Sequence, residues 1–434
     1  MNTSNKRDDR MTSTLIKAGR IFDGLTERSL EHSYIVVEGD AIATVGPQSE
    51  LNGSHERFAQ EIDLGPDATI LPGLINMHTH MSFSTGTNVF ADYQAESDET
   101  KLIRSVENMQ LALRTGVTTI RDCGTRNSIA FSMRDAIEKG LVQGPRIVAS
   151  GDGLTTTGGH LWFCGIEADT EADVRRAVRA QVKAGADFIK VFATGGATTP
   201  RTNLFAAQYT EAEMCAITKE ARRLDVRVAA HAHGTPGVRN AIASRVTTIE
   251  HCSFRQLSGT IYEPEQAHII ADAGIYVCPT ISVGRGKALA TQQLALSEEE
   301  VVAFYARREQ RFGLVRQLLD DGVQIVSGSD AGVPYNTFDN YPEDLILTSE
   351  GVDLSPVHVL KSATSVAAEA MGRPDLGAIA PGKAADLIAV QGNPLQDIRT
   401  LTHTRFVMSR GQVVRCEPYN ATYPQPVSSV PPAA

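Results

Sequence analysis

Eight short, β-branched apolar runs alternate with longer amphipathic runs over about 250 residues, which predicts an α/β fold of the (β/α)8, or TIM-barrel, type. Strand-like segments at both chain ends predict a second, small composite β-sandwich domain. Polar residues that end several of the eight runs lie where such a barrel does its chemistry.

The stretch 15–71 contains LIKAGRIFDG and SYIVVEGDAIATVG, apolar runs broken by Gly and Asp as in a meander of strands. The stretch 377–415 has the same texture in ADLIAVQGNP and TRFVMSRGQVVR. Neither piece is long enough to bury a core alone, so two sheets are expected to cover each other's apolar faces. The composite domain is placed at 14–71 and 377–415, the barrel at 72–376, and flexible tails at 1–13 and 416–434.

The eight barrel runs are TILPGLINMHTH, GVTTIRDCG, PRIVASGDG, ADFIKVFATGG, VRVAAHAHG, RVTTIEHCS, GIYVCPT and GVQIVSGSD. Between them lie helix-like segments such as TEADVRRAVRAQVKAGA and TEAEMCAITKEARRLD. The first spaces Val174, Val178, Val182 and Ala186 by four, opens on Thr170 and closes near Gly185, as helix start and stop signals do. Two or three helices around 341–372 lead back to the sandwich. A doubly wound open sheet would produce a similar alternation, but no G-x-G-x-x-G follows the first run.

Composition narrows the function. With 42% hydrophobic and 21% charged residues in 434, the chain is an ordinary globular protein. A net charge of -10 argues against nucleic acid or an acidic membrane as partner. No apolar stretch long enough for a membrane span or a secretory signal is present, so a cytoplasmic location is expected. The six cysteines are scattered without a C-x-x-C pair, which points to reduced, mostly buried thiols.

The first run ends in His78 and His80, the fourth carries Lys190, the fifth ends in His231 and His233, the sixth in Glu250-His251 and the eighth in Asp330. Two histidines two apart on a strand face the same way and suit a metal. A lone strand-end histidine is more often a hydrogen-bonded core residue, and Asp330 alone could cap a turn. Lys190 between Ile189 and Val191 is costly to bury unpaired. All of these residues sit at one end of the predicted barrel, a coincidence that argues for a metal site.

With LPGLINMHTH, DFIKVFATGG, AAHAHG, TIEHCS and SGSD in hand, the chain resembles the amidohydrolase superfamily, in its branch with two metals and a carboxylated lysine. The flanks LIKAGRIFDG and LGAIAPGKAADLIAVQGNP match as well, so the resemblance covers residues 14–415. Lys190 and His231 are 41 apart and His231 and His251 are 20 apart, as in that branch. Within it the chain is similar to imidazolonepropionase-like proteins, Xaa-Pro dipeptidases and ochratoxin-degrading amidohydrolases.

The resemblance implies two divalent metal ions, zinc above all, although Mn, Co and Fe suit the same ligands. His78, His80 and Asp330 would hold the more buried ion and His231 and His251 the more exposed one. Lys190, N-carboxylated by carbon dioxide, would bridge them. A hydroxide between metals roughly 3.5–4 Å apart would be the nucleophile. Asp330 would carry its proton, and His160 would steady the carbonyl oxygen. Substrate contacts are expected from His233, Arg239 and Tyr335, with 82–85 and Asn336 lining the pocket. The implied reaction releases a C-terminal amino acid from a dipeptide or an N-acyl amino acid such as ochratoxin A. A cyclic amide hydrolase of the imidazolonepropionase type is the alternative, disfavoured because that site uses one metal and no lysine. A deaminase is disfavoured for the same reason, and a metal-free scaffold because every ligand position is filled. A homo-oligomer is implied because relatives often assemble.

Overall fold

The computed structural model describes residues 13–51, 58–283 and 297–417. Of the expected tails, residues 1–12 and 418–434 lie outside this set. Ser13 and Cys416, by contrast, belong to strands, because each pairs across a sheet, with Glu38 and Phe406.

The N-terminal strands are β1 (Ser13–Phe22), β2 (Ser29–Glu38), β3 (Ala41–Pro47), β4 (Gln60–Asp63) and β5 (Ala68–Pro72). The central strands are β6 (Leu74–Thr79), β7 (Val117–Asp122), β8 (Arg146–Ala149), β9 (Gly153–Thr155), β10 (Gly165–Glu167), β11 (Phe188–Phe192), β12 (Arg227–Gly234), β13 (Thr248–Gln256), β14 (Gly259–Thr260) and β15 (Tyr276–Cys278). β16 (Leu387–Gln391), β17 (Thr404–Ser409) and β18 (Gln412–Cys416) close the chain.

The two chain ends do combine, but as one eight-stranded sheet rather than two. Its order is β18-β17-β16-β5-β1-β2-β3, with β4 also on β1. The physical reason is that β5 has a free edge, and β16 pairs along it from Pro72–Leu387 to Ala68–Gln391. The sheet bends back on itself, since Ile42 of β3 exchanges backbone hydrogen bonds with Lys383 and Gly382, just ahead of β16. Residues of both ends, among them Ile16, Ile35, Ile70, Leu387, Phe406 and Met408, share the enclosed core. The alternate residues Leu71, Ile388, Val390 and Val407 point the other way, into a core shared with the central helices.

β6, β7 and β8 are parallel neighbours, as are β9, β11, β12, β13 and β15. Asp187 N–H, at the foot of β11, donates to Ala149 O of β8. The eighth predicted run, 322–330, is not a regular strand, because side chains replace part of its ladder. Ser329 N–H donates to Asn76 Oδ1, and the Ser327 and Ser362 hydroxyls meet at 2.7 Å. It still links its neighbours: Val326 N–H donates to Val277 O of β15, Met77 N–H to Ser327 O and Asp330 N–H to His78 O. The result is a TIM-barrel-like arrangement with the terminal sheet as an extra domain.

Helices cover the runs as predicted. Glu171–Ala184 is capped by the Thr170 side chain and ends at Gly185, whose φ of 102° suits glycine. Glu211–Arg223 opens with a Thr210/Glu213 capping box. Tyr341–Val352, Pro356–Ser362 and Ser365–Met371 lead back to the terminal sheet. Among the described residues no helix is long and apolar enough to cross a membrane.

Candidate metal centre

β6 aims His78 inward, and the chain beyond it brings His80 to the same side. The 322–330 run approaches them through Gly328, where a Cβ would meet His78 N at 2.8 Å and Cys278 Sγ at 2.6 Å. Asn76 then fixes its end, donating to Ser329 Oγ at 2.7 Å. Asp330 follows at φ 62°, a left-handed conformation that Asp tolerates better than most side chains. Its Oδ1 lies 3.4 Å from Nε2 of both His78 and His80. Burial alone would raise its pKa, but interactions with His78, His80 and Lys190 hold the carboxyl well below the usual range.

The second group comes from β12 and β13. Ligand atoms of His231, His233 and His251 lie within 4.8 Å of one another, as do those of His78, His80 and Asp330. The two groups adjoin, with the His78 and His251 rings 5.2 Å apart. His233, assigned from sequence to substrate, also offers a donor atom here and stacks on His251 at 4.4 Å.

Hydrogen bonds set several of the imidazoles for coordination. Carboxylates and carbonyls only accept, so a ring nitrogen facing one must carry the proton. His78 Nδ1 donates to Glu250 Oε2 at 2.8 Å and His80 Nδ1 to Gly124 O at 3.3 Å, which frees both Nε2 atoms. His231 Nε2 donates to Gly195 O at 3.1 Å, which frees Nδ1. Burial, then the Lys190 charge, lowers His78 to about 4 and His231 to about 3, so both are neutral near pH 7.

Lys190 lies mid-strand in β11 with 1% exposure, and its Nζ has no hydrogen-bond partner among the described residues. Its charge acts on His78, His160, His231, His251 and Asp330. An unpaired ammonium among imidazoles that offer lone pairs is electrostatically misplaced. An anion at that atom, with cations between it and the imidazoles, would correct the misfit. The donor set therefore fits two metal ions and a modified lysine.

Sequence reasoning missed the shell behind the histidines. Glu250, fully buried, accepts from His78, from Thr248 Oγ1 at 2.6 Å and from Arg121 Nη2 at 2.6 Å. Arg121 also donates to Met77 O, so one buried network ties β7 and β13 to the His78 strand. The signal was present, in a charge inside each apolar run, TTIRDC and TTIEHC. Glu250→Ala would leave Arg121 buried and unpaired, so a stability loss of about 3–5 kcal/mol is expected in denaturant unfolding. A loss below about 1 kcal/mol would mean the network is not holding the strand. Cys278 also approaches His78 and Glu250, but burial pushes its thiol up, which keeps it protonated. All six cysteines are free.

The other predicted residues divide. His160 is buried, 4.5 Å from the His231 ring, with Nδ1 unpartnered among the described residues. Gly196 makes room for it, since a Cβ there would sit 2.3 Å from the ring. Tyr335, at φ 62°, donates its N–H to Thr85 O, which ties the loop after Asp330 to the loop after His80. In the 82–85 segment Phe83 stacks on His80 at 4.6 Å, while Ser84 is spent on Asp92. Asn336 braces the loop by donating to Ser329 O. Arg239 is corrected: it lies on the helix Thr235–Ala243 with its side chain 57% exposed, in a bidentate pair with Glu263. A nearby carboxylate on a helix surface captured it.

A family model described as amidohydrolase family matches residues 69–414. The chain is 28% identical over 429 residues to ochratoxinase of Aspergillus niger, covering 92% of this chain and 85% of the relative. It is 26% identical over 380 residues to imidazolonepropionase of Salinispora tropica, covering 82% and 84%. The solved structure of a Xaa-Pro dipeptidase with bound methionine superposes with a TM-score of 0.79 at 30% identity, covering 93% of this chain and all of the other.

Proposed function

The chain belongs to the amidohydrolase family and is a hydrolytic enzyme acting on amide bonds, and from that premise we propose that it releases a C-terminal amino acid from a dipeptide or an N-acyl amino acid. The observation that carries the reading is the unpartnered Lys190 Nζ amid two groups of possible metal ligands. In this reading His78, His80 and Asp330 hold one divalent ion and His231 and His251 the other, with zinc the first choice. The neutral Lys190 amine adds to carbon dioxide, forming an N–C bond and releasing one proton. The resulting carbamate would serve as a further ligand for the pair. When bound, the pair supplies a water that ionises near neutral pH and polarises the scissile carbonyl.

The chain's own groups do the rest. Asp330, held ionised by its surroundings, accepts the proton of the attacking water and returns it to the departing amine. His160 stays neutral, chiefly through burial and then through its neighbour His231, and can donate to the carbonyl oxygen as it gains charge. Phe83 against His80 keeps bulk water from that side of the site.

The test is release of free amino acid from a panel of dipeptides, N-acyl amino acids and ochratoxin A. Activity is expected to vanish on chelation and to return with zinc. Activity untouched by exhaustive chelation would remove the metals from the mechanism. Ring opening of a cyclic amide, with no panel member cleaved, would favour the imidazolonepropionase-type alternative.

A further inference from the structure

With Arg239 engaged elsewhere, two other arginines approach the second histidine group. Arg255 lies in β13, in register with Gly234, the residue after His233. Arg311 comes from the helix Glu298–Asp320. Its Nη2 donates to Pro279 O at 2.6 Å and Thr280 O at 2.8 Å, and Thr280 Oγ1 sits 2.7 Å from His251 Nδ1. Arg311 is thus anchored one residue away from a candidate ligand.

Both arginines are half-buried residues. Among the described residues neither forms an ion pair, and the segment 284–296 contains no Asp or Glu. Arg121 and Arg146, by comparison, are paired with Glu250 and Asp386. The Arg255 charge acts on Arg311 instead, and the Arg307 charge on Arg255. Burial, then the Arg255 charge, lowers Arg311 to about 10, with the Asp330 charge acting the other way. Both charges also act on His233. Two arginines beside the second histidine group, neither paired with a carboxylate among the described residues, leave an excess of positive charge that an anion can offset. Planar forks match a carboxylate.

We propose that Arg255 and Arg311 form a subsite for the substrate's free carboxylate, on the His233 side of the metal centre, so that a terminal carboxylate becomes a condition of efficient cleavage. This rests on the reading of the enzyme as one that releases a C-terminal amino acid. Arg311 is held in place by the carbonyls of Pro279 and Thr280, and Arg255 supplies the second charge.

The test compares kcat/KM for the best acid substrate of the panel with that for its C-terminal carboxamide. The wild type is expected to prefer the acid by about a hundredfold or more. In Arg255→Gln that preference should shrink by about tenfold to a hundredfold, mainly through KM, and Arg255→Lys should restore part of it. Because the substitution relieves repulsion, Arg255→Gln should melt no lower than the wild type. An unchanged preference, or equal losses on acid and amide, would overturn the subsite. Calorimetric binding of benzoate to the metal-loaded protein separates this result from failure of the functional reading, since it needs no turnover. Binding about tenfold weaker in Arg255→Gln sustains the subsite even if no panel member is cleaved. Equal affinities would sink it.

Discussion

Lys190→Ala is expected to strip both metal ions from the protein and to lower turnover by on the order of a thousandfold or more, since loss of a metal's charge stabilisation removes several kcal/mol. Lys190 sits mid-strand in β11 and its Nζ has no hydrogen-bond partner among the described residues, yet its field reaches imidazoles of both groups. Metal content of the purified variant, measured by elemental analysis, is the direct check, and two ions per chain would refute the bridging carbamate. Lys190→Met separates the bridge from the fold, because it keeps the stem's volume and drops the charge. The metal-free Met variant should be at least as stable as the metal-free wild type, which must bury an ammonium with no acceptor. A large destabilisation would mean that Lys190 is held by contacts of its own.

Asp330→Asn is expected to lower kcat by about a hundredfold to ten-thousandfold, the range of a positioned proton carrier. Asparagine preserves the shape and is also at ease in the left-handed conformation that residue 330 adopts. The substitution therefore isolates the carboxylate's charge and proton from backbone strain, as alanine would not. Asp330 Oδ1 faces both His78 and His80, so metal content must be measured alongside turnover. Near-normal kcat with full metal occupancy would exclude Asp330 as the proton carrier.

The candidate donor residues were legible because each is a local anomaly: histidines two apart ending an apolar run, a lysine inside one, an aspartate after Ser-Gly-Ser. Their partners were not. Arg121 and Glu250 meet because β7 and β13 face each other across the fold, and no spacing along the chain encodes that pairing. Arg239 looked like a carboxylate binder from its residue type, and only tertiary placement reveals Glu263 beside it. The apolar run in ADLIAVQGNP announced a strand, but not that the strand joins β5 to make one sheet of both ends. The 322–330 run carried the composition of a strand, while its serines took hydrogen bonds that a ladder would have used.

That single sheet imposes an order on synthesis. Thr69 at the foot of β5 hydrogen-bonds to Gly392, a residue 323 positions later. At about 5–20 residues per second, the nascent chain waits roughly 15 to 65 seconds between making β5 and making its neighbour β16. During that interval the buried edge of β5 is an open template next to the ribosome, while the whole catalytic domain emerges between the two strands. The terminal sheet is therefore the last part of the protein to be completed, and the hydrogen bonds that close it form only after every candidate metal ligand has been translated.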